Sequence, residues 1–272
     1  MHRPDQRRIV IHLGLPKTGS TTIQEMLRIN REQLHGLGVE VSPRDELTAA
    51  LRSTAVAFAK GGGLLKRARL QFALWRFRRQ VLATREPVVL ISDENMLGTK
   101  SESLFASGQQ ANFEAMARLL DRACSSPQLE CRYVVYVRNR EAWRASAYNQ
   151  SVKTAKHLLD FPSWCAQNES LDGPDQIVET LRLVLGDRLD VIAMEDELES
   201  GAPLGRAVLS ACGLSKEAID ALKTPVGLNV SLPQNAVDLI RILGQRGLER
   251  KTLKKVADCI KENVHLFDSS EQ

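Results

Sequence analysis

"HLGLPKTGSTTIQ", residues 12–24, decides how this chain is to be read. The apolar run RRIVIHLG feeds a glycine-bearing turn and then a stretch that favours helix. Backbone N–H groups at such a helix start can hold an anion, because they lack intrahelical partners and sit at the positive end of the helix dipole. The nucleoside-triphosphate loop G-x-x-x-x-G-K-[ST] needs lysine directly after its second glycine. Here Gly14 and Gly19 are followed by Ser20 and Thr21, and the lysine is Lys17, inside the loop.

Outward from that loop, short apolar runs alternate with helical patterns. Residues 8–13, 87–92, 131–137 and 188–194 read as buried parallel strands. Helices are expected over about 20–36, 46–60, 64–84, 109–124, 140–153, 174–185, 203–212, 234–246 and 250–263. The alternation predicts an α/β fold whose parallel sheet is covered on both faces, with ligands gathering beyond the carboxyl ends of the strands. Those ends carry Gly14 to Thr22, then Ser92, Asp93 and Glu94, then Arg138 to Arg140, then Glu195 and Asp196.

The 272 residues suffice for one large domain, and the expectation is a single domain over 1–272 with a helical insertion at 37–85. A hydrophobic content of 43% with 26% charged residues argues against disorder. No apolar run reaches the length of a membrane span, and MHRPDQRR lacks the apolar centre of a signal peptide, so the expected location is cytoplasmic. The five cysteines form neither a C-x-x-C pair nor a zinc-spaced cluster, so they are expected to be free thiols and no metal is expected.

The net charge of +4 is local in origin. Residues 64–85 hold Lys66, Arg67, Arg69, Arg76, Arg78, Arg79 and Arg85 with no acid. On a helical wheel their apolar neighbours form two stripes, Leu64, Leu65, Ala68, Phe72, Trp75 and Leu82 on one and Leu70, Ala73, Leu74, Phe77 and Val81 on the other. Two stripes predict a helix packed on two sides with arginines emerging between them, rather than one lying on a membrane.

LPKTGSTTIQ after a first strand, followed by YVVYVRNREAWRASAYNQ, resembles the two cofactor-binding signatures of the sulfotransferase family. The donor in that family is 3′-phosphoadenosine 5′-phosphosulfate (PAPS), and the product nucleotide is PAP. DRLDVIAMEDEL, residues 187–198, resembles a further landmark, so the likeness runs from residue 9 to about 213. It implies a three-layer α/β/α fold with a central parallel sheet, P-loop NTPase-like, with helical insertions. It also implies that Pro16, Lys17, Thr18, Gly19, Ser20, Thr21 and Thr22 wrap the 5′-phosphosulfate. Arg138 and Ser146, eight residues apart, are implied to grip the 3′-phosphate. Lys17 is then placed to stabilise the charge that develops on the leaving bridging oxygen. Sulfuryl transfer carries less charge than phosphoryl transfer, so no metal clamp is implied.

The acceptor hydroxyl needs a base, and the resemblance places one near the end of the second predicted strand. Glu94 is the first candidate and Asp93 the second, against the plain alternatives of a solvated carboxylate and a helix cap. His12 reads as a packed core histidine, and His157 as a possible acceptor contact. Two other readings stay open: a module that binds PAP, PAPS or an acidic glycan without catalysis, and an ATP-dependent kinase, since LISDE resembles a magnesium-holding strand. The displaced lysine argues against the kinase. The C-terminal region resembles carbohydrate-directed or bacterial-type members, which places Asn229 and Ser231 near the cofactor. The expected acceptor is a saccharide hydroxyl, then a lipid, small alcohol or phenol, with no nucleic acid partner. Residues 37–85 are expected to shape acceptor choice. The sequence is compatible with a monomer or a homodimer.

Overall fold

The computed structural model describes residues 7–98, 110–126, 129–155, 158–169, 174–225 and 231–267. The chain forms two compact units, one from residues 1–138 and 174–228, the other from 139–173 and 229–272.

The first unit holds a five-stranded, all-parallel sheet in the order β2-β3-β1-β4-β5. Its elements are β1 (Arg7–Leu13), α1 (Ser20–Ile29), α2 (Arg31–Gly36), β2 (Val39–Pro43), α3 (Glu46–Ala59), α4 (Leu64–Ala83), β3 (Val88–Asp93), α5 (Gln110–Cys124) and β4 (Leu129–Val137). After the excursion through α6 (Arg140–Lys153) and α7 (Phe161–Gln167) into the second unit come α8 (Asp175–Leu185), β5 (Leu189–Ala193), α9 (Met194–Glu199), α10 (Arg206–Ala211) and α11 (Lys216–Asp220). The second unit adds α12 (Gln234–Gln245) and α13 (Arg250–Glu262).

Side chains alternate across a strand, and both faces of this sheet are covered. Ile9, Ile11, Ile91 and Val135 face one core, which includes Leu74 and Phe77 of α4, Met116 of α5 and Leu181 of α8. Val10, Leu90 and Val134 face the other, with Ile23 and Leu27 of α1 and Val208 of α10. The result is a three-layer α/β/α architecture. The second unit has its own core, in which Tyr148 and Val152 of α6 meet Trp164 of α7, Val237 and Ile240 of α12 and Leu253 of α13.

Strand β2 corrects the expected insertion at 37–85. Val39 lies opposite Val88 and Pro43 opposite Ser92, so residues 39–43 belong to the sheet and only α3 and α4 are inserted helices. VEVSP offers just two apolar residues to a periodicity reading. Its proline is tolerated because β2 is an edge strand that pairs on one side alone.

The expected helix at 20–36 is broken at Asn30. That buried side chain donates to Met26 O at 2.8 Å and Lys223 O at 2.8 Å, and accepts from Lys223 N at 2.9 Å, tying the junction to a distant loop. The short helices α7, α9 and α11 carry too few residues to show a period and were not anticipated.

Helix α4 departs from the two-sided packing expected of it. Leu70, Ala73, Leu74, Phe77 and Val81 are buried, whereas Leu64, Leu65, Phe72 and Trp75 of the second stripe are exposed. Arg7 secures its C-terminal end, donating from its guanidinium to Leu82 O at 2.8 Å and Val81 O at 3.2 Å. A cation there also complements the negative end of the helix dipole.

Candidate active site

Leaving β1, the chain turns under close packing. Gly14 N–H donates to Asp93 O at 3.3 Å, joining the ends of β1 and β3. A Cβ on Gly14 would lie 2.8 Å from Ser20 Oγ and 2.9 Å from Glu94 Cγ, so glycine here lets the loop press against the end of β3. Thr18 Oγ1 donates to Leu15 O at 2.9 Å and Ser20 Oγ to the same carbonyl at 3.3 Å. Both hydroxyls therefore brace the loop, while Thr21 is exposed and Thr22 half-buried.

Two loop residues are left-handed, Lys17 at φ 67° and Gly19 at φ 80°. For lysine that conformation costs about 1–2 kcal/mol, and such outliers persist where the surroundings impose them, commonly at functional sites. Gly19 is the N-cap of α1; that helix has no capping side chain and no acid in its first turn. Its positive end thus carries no acid of its own, and the carboxylate beside it comes from Glu94 at the end of β3.

The end of β3 brings two carboxylates with different surroundings. Asp93 is 1% exposed, accepts from Thr48 Oγ1 at 2.6 Å and from Asn95 N at 3.0 Å, and is paired with the Arg52 guanidinium. Its oxygens hold α3 and the β3 turn. Glu94 is looser. Thr21 Oγ1 lies 3.5 Å from Glu94 Oε1, and Arg44 Nη1 lies 3.6 Å from Glu94 Oε2. Burial raises the Glu94 pKa above the usual carboxylate value, opposed by Arg44, reinforced by Asp93 and opposed again by Lys17 and Thr21. Lys17 and Glu94 are therefore close enough to feel each other's charge.

Arg44 was not foreseen as a site residue, because the strand that delivers it was not. It stands one residue past β2 at φ 51°, its N–H donating to Ser92 O at 2.9 Å. The Pro-Arg-Asp run ending VEVSPRD, a strand stop followed by a helix cap, was the available signal.

Arg138 follows the last residue of β4 and is half-buried. Strands β1 and β4 are parallel hydrogen-bonded neighbours, so Arg138 and the 14–19 loop leave the sheet along the same edge. Ser146 lies in α6 of the second unit and is half-buried. Asn139 caps that helix, accepting from Glu141 N at 3.0 Å and Ala142 N at 3.3 Å. His12 is fully buried, its Nδ1 2.7 Å from Ser92 Oγ and its ring edge-on to Tyr136, and burial lowers its pKa to about 3. That is the neutral core histidine expected. His157 and Asn229 lie outside the described residues; Ser231 is exposed and precedes α12.

Behind the loop, the buried Glu197 of α9 accepts from Tyr136 Oη at 2.9 Å, Gly205 N at 2.8 Å and Ala207 N at 2.6 Å. It anchors the start of α10 and with it Leu204, whose Cδ2 would lie 2.3 Å from a Cβ on Gly19. Among the described residues, no three His, Cys, Asp or Glu side chains gather as a metal site requires, and no helix is long and apolar enough to cross a membrane.

No family model and no curated protein matches the chain. Among solved structures it is similar to the crystal structure of a sulfotransferase from Alicyclobacillus acidocaldarius, at 14% identity and a TM-score of 0.47, over 94% of this chain and 97% of that one. Identity at that level leaves the function to be read from the residues themselves.

Proposed function

We propose that the protein is a sulfotransferase that uses PAPS to sulfate a hydroxyl, with a saccharide as the first class of acceptor. The observation that carries the reading is the pairing of Lys17, on a left-handed turn before an uncapped helix, with a Glu94 whose proton affinity is raised and which senses the Lys17 charge. The residues fit the nucleotide. Gly14 and Gly19 let the loop pack closely on Glu94 and Leu204, and the start of α1, which carries no acid of its own, offers backbone donors to a phosphate.

When bound, PAPS supplies the sulfuryl group and departs as PAP. Lys17 sets an ammonium beside the oxygen that gains negative charge as the S–O bond breaks. Glu94 takes the proton of the acceptor hydroxyl onto a carboxylate oxygen as that hydroxyl forms its bond to sulfur, giving the sulfate ester and a neutral Glu94. A carboxyl with a raised pKa suits this role, since its proton affinity lies closer to neutrality. Arg138 offers a two-pronged guanidinium to the 3′-phosphate, and Ser146 is assigned to the same phosphate on its sequence spacing.

A thermal-shift comparison of adenosine 3′,5′-bisphosphate with ATP and magnesium tests the nucleotide assignment. Stabilisation by the bisphosphate alone is the expected result, and stabilisation by ATP alone would overturn it. Turnover of PAPS on a panel of saccharide, lipid and phenol acceptors then tests catalysis. Lys17→Ala should lose at least about a hundredfold in rate, the scale of removing one charge-stabilising donor, while keeping bisphosphate binding. An unchanged rate would remove Lys17 from the chemistry.

A further inference from the structure

The outer face of α4 carries an exposed apolar stripe bordered by arginines. Its buried residues, from Leu70 to Val81, share one side of the helix. At roughly 100° per residue, Leu64, Leu65, Phe72 and Trp75 fall on the opposite side, away from the core. They are 87%, 67%, 60% and 50% exposed. Phe72 and Trp75 stack at 5.6 Å between ring centroids, and the Arg79 guanidinium sits 4.9 Å from the Trp75 centroid. The rings and this arginine, with Arg76, Gln80 and Ala83, line a shallow open cavity of about 450 Å³. Arg69 and Arg76 flank the stripe on one side, Arg67 and Arg78 on the other, with no acid anywhere in residues 64–85. From Leu64 to Trp75 the stripe is about 17 Å long on a helix of about 30 Å.

We propose that this face docks the protein on an anionic phospholipid bilayer, the aromatic and leucine side chains entering the headgroup boundary and the flanking arginines meeting lipid phosphates. A soluble protein gains nothing from leaving two leucines and two stacked aromatics in water along one line, whereas an interfacial helix requires that line and a basic border. Charge decides among the occupants. A second copy meeting this face by twofold symmetry would bring two acid-free 64–85 segments and their arginines together, which is repulsive. A nucleic acid would use the arginines and rings but leave Leu64 and Leu65 unburied. An anionic bilayer engages all of them.

The test is co-sedimentation of the full chain with phosphatidylcholine vesicles, with and without about 30% phosphatidylserine, at about 0.1 M salt. Pelleting with the anionic vesicles alone, reversed at 1 M salt, is expected, since salt screens the attraction between basic residues and an anionic surface. Trp75 is exposed while Trp143 and Trp164 are buried, so a blue shift of emission and its quenching by acyl-brominated lipid report on Trp75. Phe72→Ser/Trp75→Ser and, separately, Arg76→Glu/Arg79→Glu should each lower partitioning about tenfold or more, with unchanged circular dichroism. The proposal is overturned by failure to pellet with anionic vesicles, or by full pelleting of the Phe72/Trp75 variant. It is equally overturned if these substitutions instead abolish a concentration-dependent dimer, or an RNA complex, that forms without vesicles. None of these readouts depends on the chemistry assigned to Lys17.

Discussion

Replacing Gly19 by alanine probes the loop from two directions at once. At φ 80° the residue is left-handed, which costs an L-residue about 1–2 kcal/mol. The new methyl would also stand 2.3 Å from Leu204 Cδ2, well inside the ~3.5–4.0 Å at which carbon atoms rest, while Met194 Sδ at 3.5 Å is in ordinary contact. Overpacking of that kind costs about 1–3 kcal/mol, and Leu204 can relieve part of it by rotating its side-chain end. The expected loss is about 2–4 kcal/mol, a large fraction of the ~5–15 kcal/mol that stabilises a typical domain. Urea unfolding followed by far-ultraviolet circular dichroism measures it, with tryptophan emission in parallel, because Trp143 and Trp164 report on the second unit. Leu204→Ala in the same chain removes the clash but not the backbone cost, so the double-mutant cycle should show a coupling of about 1–3 kcal/mol. A Gly19→Ala protein within about 0.5 kcal/mol of the parent, or a penalty untouched by Leu204→Ala, would refute the geometry.

Because Glu94 binds its proton more tightly in the folded state than in the unfolded chain, it weakens the fold as pH rises through its folded pKa; Glu94→Gln should therefore stabilise the protein near neutrality and not at about pH 4, as read by thermal midpoints at the two pH values. The same variant should lack the rise of sulfation rate with pH, and Arg44→Gln, which deletes the main cationic influence on Glu94, should move that rise to higher pH. His12 has the opposite sign: held neutral with a pKa near 3, it supports the fold above about pH 6.5 and withdraws up to about 1.4 kcal/mol per pH unit below it, so His12→Gln should flatten acid unfolding in that window. Tyr136→Phe deprives the buried Glu197 carboxylate of one of its three donors and should cost about 1.5–3 kcal/mol; a neutral result would mean that a water had replaced the hydroxyl.

Much of the first unit could be read from sequence because its strands are buried on both faces and its helices are long. RIVIHL, PVVLIS and CRYVVYV are runs that only a covered parallel strand explains, and the 14–22 loop announced itself through two glycines at fixed spacing. What escaped reading was short or depended on partners far along the chain. VEVSP needed β3 beside it to be recognised as a strand, and Arg44 came into view only with that pairing. The different fates of Asp93 and Glu94 turn on Thr48 and Arg52, which reach β3 from a helix about 45 positions earlier. The two apolar stripes of α4 were seen in the sequence, but periodicity cannot say which stripe meets a core and which meets water.

The central position of β1 sets a problem of timing during synthesis. It pairs with β3 on one side and β4 on the other, and Arg8 meets Glu130 across 122 positions of chain. At about 5–20 residues per second, β1 emerges from the ribosome and waits roughly 6–24 s before its second neighbour exists. Until β3 is made IVIHL has unused backbone donors and acceptors on both edges, and until β4 is made on one, the kind of segment that recruits foreign strands. Arg7 and Arg8 stand directly before it, the flanking charges that disfavour such foreign pairing.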